Sequence, residues 1–117
     1  MNTEPVSSQL EQYLSLTNKR EMVIASNMAN VDTPGYHTQD FDFQQVFEKA
    51  AHGAGSALTG VALRKVPGLL ERPDGNNVDM DRESMLLSEV QLQSQIGSQL
   101  LRAHFHQLIT AINGGGQ

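Results

Sequence analysis

The sequence predicts a mainly α fold: two long N- and C-terminal helices forming a coiled-coil-like hairpin, joined by a flexible Gly/Pro-rich middle segment with room for a short helix or a β-hairpin. Three observations predict it. Apolar residues recur at helical spacing in two stretches, from about Ser8 to Val31 and from about Asp81 to Ile112. Between them, Gly53 to Gly75 holds five of the ten glycines and two of the four prolines, a composition that interrupts regular structure. The 117 residues amount to about one domain. With 38% hydrophobic but only 5% aromatic residues, and no Trp or Cys, any core is thin and mostly aliphatic.

The first helix, expected over 8–32, carries Leu10, Tyr13, Leu14, Ile24, Met28 and Val31 near one face. Ser8 and Glu11 have the spacing of a capping box at its start. Thr33 precedes Pro34 and is pushed toward extended geometry, and Pro34-Gly35 suits the centre of a type II turn. The helix would be about 35 Å long. Residues 33–52 then hold the turn and a short second helix, where Asp42 and Gln45 are placed to cap and Phe41, Phe43, Val46 and Phe47 form a local hydrophobic knot. That knot suits a satellite cluster on the first helix as well as a docking role.

The middle, 53–78, shows weak alternation at Val61, Leu63 and Lys65; a short hairpin and a segment loose until covered are both open. The last helix is expected over 79–113, before a tail at 114–117. Leu86, Val90, Leu101, Phe105, Leu108 and Ile112 form one stripe, with Met85, Leu92, Ile96 and Leu100 beside it. Asp79, Asp81 and Glu83 place negative charge where the helix dipole favours it, and Asn113-Gly114-Gly115-Gly116 reads as the stop. At about 48 Å, this helix is too long for the first to cover. From Val90 to Leu101 no residue is charged, and Gly97 permits close approach. A helix packed on several sides by neighbours has this character, and so does a solvated helix rich in Gln and Ser.

The composition excludes several functions. Eight basic against 13 acidic residues give a net charge of −5, and the basic ones are scattered, which argues against nucleic acid. No apolar run approaches the roughly 18 residues of a membrane span, so direct membrane insertion is not expected. The start, Met1-Asn2-Thr3-Glu4-Pro5, is not a cleavable export signal. The lack of cysteine excludes disulfides, thiolate metal sites and a cysteine nucleophile.

Candidate chemistry is equally sparse. His104 and His106 are two apart and point to different faces of a helix, so they form no metal pair. Asp74-Gly75-Asn76-Asn77-Val78-Asp79 looks faintly like a calcium loop, but Asp79 stands where the loop's glycine belongs, and turn chemistry explains the run better. Gly53, Gly55 and Gly60 match no phosphate loop. Asp40/Asp42 and Asp79/Asp81 sit at turn or capping positions. A metal-dependent hydrolase would need Asp40, Asp42, His104 and His106 to converge. No nucleophile, base and orienter set is legible, so neither an enzyme nor a cofactor or metal site is expected.

Ala25-Ser26-Asn27-Met28-Ala29-Asn30-Val31-Asp32-Thr33-Pro34-Gly35-Tyr36 resembles the signature of the flagellar rod and hook proteins. Asn27 and Asn30 can bond backbone near the helix end, while Thr33, Pro34, Gly35 and Tyr36 break the helix and turn the chain. Asp40-Phe41-Asp42-Phe43 and Asp74-Gly75-Asn76-Asn77-Val78-Asp79-Met80-Asp81-Arg82-Glu83 are similar to segments of the proximal rod branch. The resemblance covers nearly the whole chain and is weakest from His52 to Leu69.

The resemblance implies a single rod-type domain and a non-enzymatic axial subunit. It implies export through the flagellar type III apparatus without a cleaved signal, and assembly into the periplasmic rod of the basal body. The implied partners are neighbouring rod subunits, the rod adaptor protein, the inner-membrane ring and, in transit, the export apparatus. The assembly interface is then expected at Leu10, Leu14, Ile24, Met28, Val90, Ile96, Leu101, Phe105, Leu108 and Ile112, and Leu101→Asp or Ile24→Asp should block assembly. The alternative is a cytosolic helical adaptor or export chaperone holding a client protein in its hairpin.

Overall fold

The computed structural model describes residues 5–53 and 60–115. It contains α1 (Val6–Ala29), β1 (Gln39–Asp40), α2 (Phe43–Ala51), β2 (Arg64–Lys65) and α3 (Met80–Gly115) in a molecule of 71 × 28 × 18 Å. The two long helices pack antiparallel, as expected of the hairpin: Gly97 of α3 lies against Tyr13 and Leu14 of α1, and Glu83 against Asn27. A Cβ added at Gly97 would stand 3.0 Å from Leu14 Cδ2, so the glycine brings α3 close to its own α1.

α1 starts two residues before the expected Ser8. Pro5 is the N-cap residue, with φ −57° and ψ 156°, and it makes no side-chain cap. The capping box is therefore not formed: Ser8 and Glu11 lie inside the helix, because Pro5, with its fixed φ, already takes the flanking position. At the other end α1 stops at Ala29, with Asn30 as C-cap, just ahead of the turn.

α1 is covered on two sides. Ile24 lies on its α3-facing side and is buried, as is Val90 on α3. On another side Leu16, Val23 and Phe41 form a small core, packed by Phe43, Val46, Phe47 and Val61. Tyr13 stands edge-on to Phe43 and Phe47, at 5.4 and 5.6 Å between centroids. Burial raises its phenol above the usual 10.0. The Phe-rich knot thus packs on α1, and Asp42 Oδ1 caps α2 by accepting from the Gln45 N–H at 3.1 Å.

Among the described residues the middle forms no hairpin of its own. Its strand β2 instead pairs antiparallel with β1 far upstream, Gln39 opposite Lys65 and Asp40 opposite Arg64. The Val66 N–H extends this contact by donating to Thr38 O at 2.9 Å, and Arg20 holds Asp40 at 3.1 Å. From Gly60 to Asp79 the chain is thus pinned at intervals rather than loose, because its extended backbone finds partners on β1 and the turn after α1. Residues 54–59 of the flexible middle expected over 53–78 lie outside the described residues.

α3 is capped by Asp79, whose Oδ1 accepts from the N–H groups of Asp81 and Arg82 at 3.1 and 3.2 Å. It does not stop at Asn113-Gly114 but continues to Gly115. Gly114 stays out of the left-handed region that a glycine cap requires, so the helix runs straight through it.

Candidate functional site

The signature turn is one half of a buried polar clamp. Pro34 removes a backbone donor, which helps end α1. The chain reverses over Thr33–Tyr36, the Tyr36 N–H donating to Thr33 O at 3.2 Å with Gly35 at φ 75°. Thr33 Oγ1 donates to Asn30 Oδ1 at 3.0 Å, and Asn30 Nδ2 donates to Ser26 O at 2.8 Å. Asn30 thus does what its position near the helix end predicts.

Asn27 does something different. It is 1% exposed, and its amide links three segments. Its Nδ2 donates to Gln39 O at 2.8 Å and to Glu83 Oε2 at 3.2 Å, while its Oδ1 accepts from Tyr36 Oη at 2.8 Å and from the Gln39 N–H at 3.0 Å. These contacts saturate both ends of the amide. Glu83, fully buried at the start of α3, also accepts from Arg82 Nη1 at 2.7 Å. Its charge is therefore compensated by a neighbouring guanidinium and by the helix N-terminus.

The other half of the clamp is the turn before α3. Asn76 Nδ2 donates to Asn30 O at 2.8 Å and Thr33 O at 2.9 Å, and Arg72 Nη2 donates to Val31 O. These side chains add second donors to the Asn30 and Thr33 carbonyls, which also accept from the Thr33 and Tyr36 N–H groups, and supply one to the Val31 carbonyl beyond the end of α1. Asn77 Oδ1 accepts from the Thr38 N–H at 2.7 Å, and the Asn77 N–H donates to Tyr36 O at 3.2 Å. The Gly35 N–H donates to Asp74 O at 2.8 Å, and a Cβ on Gly75, at φ 86°, would lie 3.2 Å from Gly35 Cα. Two glycine backbones are in contact here: a side chain on Gly75 would crowd Gly35, while one on Gly35 would meet open space but hold a left-handed φ.

The clamp offers structure rather than reaction chemistry. Each buried polar group in it points at another, and Asp40 and Asp42 are taken up by Arg20 and by the α2 cap. Among the described residues no group of three His, Cys, Asp or Glu is placed to hold a metal ion, and no helix is long and apolar enough to cross a membrane. The clamp roles of Asn76, Asn77, Arg72 and Glu83 escape sequence reasoning, which reads Asn76 and Asn77 as turn chemistry and Glu83 as charge at the helix start and does not single out Arg72. The available signal was that the run from Asp74 to Glu83 and the signature turn are the two segments of strongest family resemblance; they are the two sides of one contact.

The residues expected at an assembly interface divide into three groups. Ile24 and Val90 are 1% and 0% exposed, so the chain covers them itself, and Ile24→Asp would strike the fold before any interface. Leu10, Leu14, Met28 and Leu101 are half-buried. Ile96, Phe105, Leu108 and Ile112 are exposed, with Ile112 at 74%. Phe105, Leu108, Ile109 and Ile112 lie on the part of α3 beyond Leu100, which lines a cleft with Val6 and Leu10 near the start of α1.

A family profile described as "Flagella basal body rod protein" matches residues 14–37, which run from the middle of α1 through the signature turn. The flagellar basal body rod protein FlgB of Aeromonas hydrophila is 35% identical, over 90% of this chain and 91% of its own length. The FlgB proteins of Salmonella typhimurium and Escherichia coli K12 are 31% and 30% identical over the same shares. With a relative this similar along nearly its full length, the chain belongs to the FlgB family of flagellar basal body rod proteins.

Proposed function

We propose that this chain is a non-enzymatic structural subunit of the proximal rod of the bacterial flagellar basal body, where it assembles with itself and with other subunits through α1 and α3 to transmit motor torque. Its partners in this reading are the neighbouring rod subunits, the rod adaptor protein and the inner-membrane ring, with the export apparatus met in transit. Its place is the periplasmic rod of the basal body. The observation that carries the reading is the uncovered distal face of α3, Phe105, Leu108, Ile109 and Ile112, exposed at 43–74%. Burying each such side chain against a neighbour is worth about 1.5–3 kcal/mol, enough in combination to drive assembly. The clamp supports it from the other side by fixing the angle at which α1 and α3 leave the turn, as a load-transmitting subunit requires.

The test is complementation of a strain lacking this subunit with the double variant Ile109→Asp, Ile112→Asp. The expected result is a stable chain that is absent from isolated basal bodies, and cells that do not swim. Normal swimming with the variant in place would overturn the reading.

A further inference from the structure

The loop at 67–71 is held at both ends and presents an apolar side chain that its own chain does not cover. Ahead of it the Val66 N–H donates to Thr38 O at 2.9 Å. Behind it the Arg72 N–H donates to Asn76 O at 2.8 Å, and the Arg72 guanidinium reaches back to Val31 O. Gly68, at φ 82°, turns the chain between these points, and Glu71 Oε1 lies 3.4 Å from His37 Nε2. At the tip Leu70 is 94% exposed, more than any other large apolar residue among the described ones. Beside it opens a cleft of about 530 Å³ whose apolar lining includes Val31, Leu69, Val78 and Met80, with Arg72 and Asp79 also lining it.

A lone exposed leucine is ordinary, but this one stands on backbone that is already fixed, so covering it costs little ordering. An apolar anchor beside a cleft, ringed by polar groups, has the anatomy of an interface centre. The ring identifies the charge of what covers it. Asp32, Glu71, Asp74, Asp79 and Asp81 are all exposed in the segments that meet here. Against them stand Arg72, which already pairs with Asp74 at 3.6 Å, and Arg82, which pairs with the buried Glu83. Such a ring attracts cations and repels carboxylates. A second copy of this chain brings a net charge of −5, so the complementary surface belongs to a different protein.

Resting on the rod-subunit reading above, we propose that Leu70 and the adjoining cleft dock a different protein through an apolar surface rimmed by Lys or Arg, whose cations face Glu71, Asp79 and Asp81. The anchor lies at the clamp, so it selects this partner without engaging the exposed distal face of α3.

The test replaces Leu70 with photoreactive benzoylphenylalanine in the full chain, expressed in cells that lack the unmodified subunit. After irradiation, basal bodies are isolated and the cross-linked peptides are sequenced. The expected result is a product with a different protein, at a peptide that carries Lys or Arg beside aliphatic residues. Its yield should fall about tenfold when Glu71→Lys and Asp81→Lys are added. A product with a second copy of this chain, a product at a peptide without Lys or Arg, or a yield unmoved by the charge reversal overturns the proposal and leaves the rod reading intact. Basal bodies that contain the probe chain but no product do the same. If the probe chain does not enter basal bodies, Leu70→Met and Leu70→Asp decide: entry of Leu70→Met with about tenfold less Leu70→Asp upholds the anchor, and equal amounts of the two overturn it. Absence of the unmodified chain from basal bodies overturns the rod reading and the inference with it.

Discussion

Where α1 meets the turn before α3, the chain completes its own hydrogen bonding: the Asn27 amide, the carbonyls of Asn30 and Thr33, and the Glu83 carboxylate all find partners within it. At the far end of α3 the chain completes nothing, and Phe105, Leu108, Ile109 and Ile112 stand in solvent. Buried polar groups are tolerated only when paired, and the pairing demands one geometry. Uncovered apolar groups demand burial but accept any surface of suitable shape. The first end therefore specifies the subunit's own shape, and the second leaves association to be settled by whatever covers it.

The comparison breaks most severely at Asn27. Asn27→Ala leaves the Gln39 backbone N–H and C=O, the Tyr36 hydroxyl and the Glu83 carboxylate each short of a partner, and should lower stability by about 3–5 kcal/mol. Urea unfolding followed by helicity measures it. A loss below about 1 kcal/mol would mean that water replaces the amide and that the clamp is not closed. Next comes Gly75→Ala, which meets the Gly35 backbone at 3.2 Å and holds φ at 86°, for a loss of about 2–3 kcal/mol. Gly68→Ala is the control, since it has φ 82° but open space around it, and should lose only about 1 kcal/mol. Equal losses at the two glycines would show that the Gly35–Gly75 contact adds nothing.

Why some of this was legible and some not follows from sequence distance. Asp42 caps α2 by reaching three residues ahead, and Pro34-Gly35 turns the chain within four, so local chemistry decides both. Asn27 to Glu83 spans 56 residues, and Asn76 to Asn30 spans 46. No periodicity announces such pairs, and local reasoning assigned Asn27 to the nearest backbone, a role that Asn30 fills. The failed capping box at Ser8 and Glu11 and the missed continuation through Gly114 are different errors. Both took a permitted local signal for an obligatory one, at helix ends where the signal competes with Pro5 on one side and with uninterrupted helical backbone on the other. The burial of Ile24 and Val90 against the exposure of Ile96 and Ile112 was equally hidden, because a stripe of apolar residues does not say where its covering partner ends.

A smaller effect is expected at the α2 cap. Asp42→Ala removes the acceptor of the Gln45 N–H and should cost about 1 kcal/mol, with Asp42→Asn restoring most of it. Recovery by Asn separates the cap from the Asp42 contact with Arg64, a surface pair at 3.6 Å that needs the charge.

The smallest effect on the isolated chain sharpens the comparison most. Ile109→Asp with Ile112→Asp alters side chains that are 57% and 74% exposed, so the urea midpoint of the isolated chain should shift by less than about 0.5 kcal/mol equivalent. The same variant is expected to be lost from basal bodies, which separates a defect in association from a defect in folding. Were the pair instead to destabilise the isolated chain as Asn27→Ala does, the distal face of α3 would be covered from within. The contrast between a self-completed end and an uncovered one would then fail at its second term, and the drive for assembly would have to be sought among the exposed apolar residues nearer the middle of α3, Leu92, Ile96 and Leu100.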